Sequence, residues 1–167
     1  MTSKTRTQVE LEALVAEFTR VRAELLYAVA MVPSHLRNEP FVGDWDVKDV
    51  VAHTVGWDYT NVEALPDFRD GRLPAFFVRY DDDWAAINAD LIARHRLEDW
   101  DALIESLLES GQAFVNAMRL LCDADLDNVT LWGERRISLR GMMRAVSRDE
   151  SEHVTQVRNS VRTAEVR

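Results

Sequence analysis

At 167 residues and 47% apolar side chains, the chain is one domain long (1–167) and can fill one substantial core, which excludes a two-domain organisation. Twenty basic against 29 acidic side chains give a formal charge of −9 and an isoelectric point near 4.9, a balance that repels phosphate backbones and anionic lipid and argues against nucleic acid or membrane as partner. The single cysteine, Cys122, forbids an internal disulfide, no apolar run approaches membrane-spanning length, and MTSKTRTQVE has no signal-peptide core, so the expected compartment is the reducing cytoplasm.

Apolar residues at Leu11, Leu14, Phe18, Val21, Leu25, Ala28 and Val32 alternate steps of three and four, which predicts a first helix over Thr7 to Val32. Pro33 and Pro40 then interrupt the chain as far as Trp45. Asp46 is placed as an N-cap, with Asp49 three residues on to complement the exposed amides, and a second helix follows on Val50, His53, Trp57, Asn61 and Ala64, ending at Pro66. Residues 66 to 80 read as a crossover, in or after which a short helix from about Asp82 to Arg94 carries Trp84, Ile87 and Leu91 on one face. A third long helix runs from Asp99 to Cys122 on Ile104, Leu107, Gly111, Phe114, Met118 and Leu121. Gly111 there costs about 1 kcal/mol of helix propensity, which predicts close approach of another helix or a ligand. Asp123 to Ile137 reads as a polar connection without strand alternation, and Ser138 caps a fourth long helix, Leu139 to Val161. The expected fold is all-α: a four-helix bundle whose long connection between the second and third long helices carries a short extra helix.

The fourth helix has an anomalous seam. Its spacing selects Leu139, Met142, Val146, Asp149, His153, Val157 and Ser160, so an aspartate and a histidine stand four apart where a core takes apolar residues. His53 is a third such residue, in the seam of the second helix. A carboxylate buried there needs a partner, a proton or a metal. Two histidines and a carboxylate form a reasonable three-ligand metal site; the plainer alternative is an Asp149–His153 ion pair, with His53 a core histidine bonded to backbone.

The segment Trp45-Asp-Val-Lys-Asp-Val-Val-Ala-His53-Thr-Val-Gly-Trp57, followed some ninety residues on by Asp149-Glu-Ser-Glu-His153-Val-Thr-Gln-Val, resembles the DinB-like superfamily over nearly the whole chain. In that family one histidine of the second helix and two at i and i+4 on the fourth bind a divalent metal. His53 and His153 match the pattern, while position 149 carries aspartate where the family commonly has histidine. The turn Gly71-Arg-Leu-Pro74 and the helix through Trp84, Asn88 and Leu91 look most like the ClbS/DfsB group. The resemblance implies a divalent ion (Zn, Ni, Mn or Fe) that activates water or a low-molecular-weight thiol toward a small reactive molecule, hence a hydrolase or thiol transferase, and a homodimer. The alternative is a self-resistance protein that sequesters its ligand without turnover, and a third class is a scaffold with no ligand.

Glu150 and Glu152 flank the pair, and the register turns both to solvent; Glu150 is the candidate catalytic base, or an acceptor behind the ligands, if it turns inward. Trp57, Asn61 and Trp84 are the candidate substrate-pocket residues, with Trp45 and Tyr59 nearby, against the plainer reading of the aromatics as core. His35, His95 and Cys122 read as a solvated pair of histidines and an inert thiol.

Overall fold

The seams fold as helices in the computed structural model, which describes residues 4–80 and 83–165. In chain order these are α1 (Lys4–Ala30), α2 (Val47–Arg69), α3 (Ala75–Tyr80), α4 (Trp84–His95), α5 (Trp100–Met118), the antiparallel strands β1 (Val129–Trp132) and β2 (Arg135–Ser138), and α6 (Leu139–Glu165). The chain is thus mostly helical, and α1, α2, α5 and α6 correspond to the four long helices expected. α1 packs on α5 and α6, and α2 on α4, α5 and α6. Among the described residues no helix is long and apolar enough to cross a membrane.

Capping follows the expected chemistry. Asp46 accepts hydrogen bonds from the amides of Lys48 and Asp49, and Asp49 accepts one from the Asp46 amide, closing a capping box. Ser138 Oγ accepts from the Gly141 amide at 3.0 Å and starts α6.

Several boundaries differ from the sequence reading. α2 continues past Pro66 to Arg69, because the Pro66 carbonyl still accepts from Asp70 at 3.0 Å and the last turn buries Phe68, a gain of about 1.5–3 kcal/mol. α5 ends at Met118, and the next residues bond in tighter i to i−3 turns that leave Leu120 exposed. The crossover holds α3 as well as α4; Asp83 caps α4, and Asp82, the expected start, lies outside the described residues. Residues 129–138 form a hairpin rather than a polar loop. Its alternation is hidden because β1 buries Thr130 and exposes Leu131, the reverse of their polarity.

Two apolar clusters make the core. One gathers Phe18, Phe68, Phe114 and Met143, the other Leu25, Val50, Leu107 and Val157. Between them every long helix contributes a buried polar residue: Arg22 from α1, Asp58 from α2, Ser110 from α5 and Glu150 from α6. Arg22 donates from Nε to Glu150 Oε1 at 2.8 Å, from Nη1 to Asp58 Oδ2 at 2.7 Å and the Leu107 carbonyl at 2.9 Å, and from Nη2 to Asp58 Oδ1 at 2.9 Å and to Glu150. All five N–H groups of the guanidinium are therefore used. Ser110 donates to Asp58 at 2.6 Å.

Gly111 has the close neighbour its position predicts, and that neighbour is this guanidinium. A Cβ at 111 would lie 2.3 Å from Arg22 Nη1. Alanine gains about 1 kcal/mol of helix propensity over glycine. Gly111→Ala is nevertheless expected to destabilise the chain by about 1–3 kcal/mol, since a side chain bonded on every N–H cannot give way without loss. Urea unfolding measures this, and a midpoint at or above that of the wild type contradicts the packing.

Candidate metal centre

α2 is anchored two turns before His53. Arg96, at the α4–α5 junction, donates from Nη1 and Nη2 to the two oxygens of Asp46 at 2.9 Å each and also reaches Asp49, so the cap of α2 is tied to the next element. Burial alone would push the Asp46 carboxyl up, but the Arg96 guanidinium and the capped amides hold it below the ordinary value. His53 is buried, with its ring 5.0 Å from Trp45 and 5.1 Å from the ring of His153. α6 brings Asp149 and His153 to it from one face.

Asp149 Oδ2 lies 3.5 Å from His53 Nε2 and 3.6 Å from His153 Nε2, and one donor atom from each residue falls within 4.8 Å of the others. Ligands about 2.1 Å from a tetrahedral ion stand about 3.4 Å apart, close to the two Asp149–histidine distances, so the three could hold a common metal. His153 Nδ1 donates to Gln156 Oε1 at 2.8 Å, which leaves the lone pair on Nε2, and that buried nitrogen has no hydrogen-bond partner. His53 Nδ1 is likewise buried without a partner, so His53 is not the backbone-bonded core histidine of the plainer reading.

The two acidic neighbours exchange their expected places. Asp149 has a side chain 55% exposed, whereas Glu150 is 2% exposed and locked to Arg22. The buried stripe of α6 runs Leu139, Met143, Ser147, Glu150, Val154 and Val157, while Met142, Val146 and Asp149 face a cavity. Partial desolvation pushes the Asp149 carboxyl up and is outweighed by the His153 and His53 imidazoles beside it, which hold it well below the usual range. Burial works against a charged His153, but Asp149 reverses the balance and raises its pKa; at His53 burial dominates and lowers it. Burial pushes Glu150 up to about 7 against the pull of Arg22, which it shares with Asp58.

The cavity beside these residues has a volume of about 500 Å³. Trp57, Asn61 and Trp84 line it as expected, together with His53, Asp149 and Glu150. Glu152 stands exposed at its rim. Glu150 Oε2 is buried with no partner. Tyr59 instead stacks on His95 at 5.8 Å, Cys122 is exposed, and His35 lines a separate groove beside Gln156, so none of these joins the cluster. Sequence reasoning missed Arg22, Asp58, Gln156 and Asn88, whose Oδ1 accepts from Trp57 Nε1 at 3.0 Å. A signal existed for the first two: Arg22 lies four residues after Phe18 and three before Leu25, and Asp58 three after Val55 and seven before Leu65, so opposite charges sit inside two apolar stripes.

Gln156→Leu is expected to weaken divalent-metal binding about 10- to 100-fold by releasing the His153 tautomer. Competition titration against a chromogenic chelator reads this, and unchanged affinity removes Gln156 from the site. For Glu150, a folded pKa near 7 against an ordinary 4.5 means that the folded chain keeps a proton the unfolded chain gives up in that window. Stability therefore falls as pH rises from 4.5 to 7, and Glu150→Gln should flatten that slope in urea unfolding. No protein-family model matches the chain, and neither does any curated protein or any solved structure.

Proposed function

We propose that the chain is a DinB-like four-helix-bundle protein of the ClbS/DfsB kind that holds a divalent metal through His53, Asp149 and His153 and acts on a small reactive molecule in the adjoining cavity. The observation that carries this reading is the convergence of three donor atoms within 4.8 Å, one of them an orphaned Nε2 whose tautomer Gln156 sets. The pairing of α1, α2, α5 and α6, with α3 and α4 in the connection between α2 and α5, supports the bundle assignment. A bound Zn²⁺, Ni²⁺, Mn²⁺ or Fe²⁺ supplies acidity to water or to a low-molecular-weight thiol.

The chain's own groups do the rest. Arg22 fixes one oxygen of Glu150, so the unpartnered Oε2 is presented in a set orientation and takes a proton from a reacting group. The aromatic wall excludes water and orients the substrate. A second reading, sequestration without turnover, draws on that same apolar wall. The homodimer and the cytoplasmic setting belong to the same proposal, and sedimentation equilibrium reads the first of them.

Elemental analysis of untagged protein tests the centre. His53→Ala and Asp149→Leu are each expected to lose the metal, and Asp149→His to retain it, because imidazole suits borderline ions. Unchanged metal content in the first two variants, or none in the wild type, refutes the site. Substoichiometric protein incubated with small electrophiles, with and without thiol, then separates the readings: more than one equivalent consumed means turnover, and saturation at one means capture.

A further inference from the structure

Asn61 lies on the same face of α2 as His53 and Trp57. It is 3% exposed and lines the cavity, yet its side-chain amide makes no hydrogen bond among the described residues. Of the other polar groups on the cavity lining, Thr54 donates to the Val50 carbonyl, Asn88 Oδ1 accepts from Trp57, and both oxygens of Asp58 are bonded to Arg22, whereas Glu150 Oε2 is unpartnered. The amide is open to the cavity rather than enclosed, so a molecule that enters can displace water there and pair with it.

The surroundings define that entrant. Trp57, one turn before Asn61 on the same face of α2, stands 5.9 Å from Trp84 at 37° and 5.6 Å from Phe76 in an edge-to-face contact, and Phe77 closes on Trp84 at 6.1 Å. These rings wall the cavity on the side of α3 and α4, and Met142 and Val146 face them from α6. Such a slot accepts a flat apolar body. The charges on the lining are Asp58, Asp149 and Glu152 against Arg148, with Arg22 buried behind, so the metal-free cavity disfavours an anion.

We infer that Asn61 and the Trp57–Phe76–Trp84 wall form a recognition subsite for an uncharged, flat apolar molecule bearing a carboxamide or an equivalent donor and acceptor pair, which the Asn61 amide meets with two complementary hydrogen bonds. The inference rests on the reading of this cavity as the substrate pocket, and it does not depend on the metal.

Calorimetric titration of the metal-free chain in EDTA with 2-naphthamide, 2-methylnaphthalene and 2-naphthoate tests it, since removing metal prevents the carboxylate from binding as a ligand. The expected order is naphthamide tightest, by about tenfold over the hydrocarbon, with naphthoate weakest. Asn61→Leu should abolish the advantage of the amide over methylnaphthalene while the urea midpoint stays at or above that of the wild type. Naphthoate equal to or tighter than naphthamide, no binding of any probe, or an amide advantage that survives in Asn61→Leu overturns the subsite. The order of the three probes on the wild type decides the matter even if the variant does not fold. The metal content of the wild type, measured separately, distinguishes this inference from the metal reading. Probe order intact where the wild type holds no metal defeats the metal reading alone, and probe order lost where the wild type holds metal defeats the subsite alone.

Discussion

The guanidinium of Arg22 is the constraint from which the rest of the structure follows. It sits between two apolar clusters and bonds, through all five of its N–H groups, to carboxylates on α2 and α6 and to a backbone carbonyl on α5. Such a buried network is not a large source of stability, because desolvation of the charges offsets most of their attraction. What it does is penalise mistakes. A rotation of α1, α2 or α6 leaves a charge in the core without a partner, at about 3–5 kcal/mol, while most apolar side chains tolerate small shifts for less.

The rotation of α6 is set in this way, and the candidate metal ligands are set with it. Successive helical residues are about 100° apart. With Glu150 turned to Arg22, Asp149 stands about 100° to one side, and His153, three residues on, about 60° to that same side. Both face α2 at the edge of the core, where His53 waits, and neither points into it. The exposure of Asp149 and the burial of Glu150 are consequences of one contact.

The cavity depends on a second close approach, of α4 to α2. A Cβ at Gly56 would stand 2.7 Å from the Cβ of Leu91, so the two helices pack nearer than any side chain there would allow. That contact carries Trp84 and Asn88 over the next turn of α2, where Asn88 bonds Trp57 and Trp84 tilts against it. The aromatic wall and the ligand cluster thus meet at His53 and Trp57, on consecutive turns of one helix capped by Asp46 and clamped by Arg96.

The sequence by itself determined the four long helices, the caps at Asp46 and Ser138, the face of α2 that holds His53, Trp57 and Asn61, the pairing of Asp149 with His153, and the close approach at Gly111. Each is a local property, written in spacing or in the chemistry of one turn. Only the tertiary structure decided which acidic residue of α6 faces the core, because Asp149 and Glu150 both satisfy an apolar period until Arg22 selects one. The hairpin at 129–138 was hidden for a related reason: Thr130 is buried and Leu131 exposed by what packs against them, and four-residue strands are too short for their own period to show. The charges inside the apolar stripes are visible locally, but which partner each takes is not, since Arg22 lies more than thirty residues from both Asp58 and Glu150, and here those pairings orient the site.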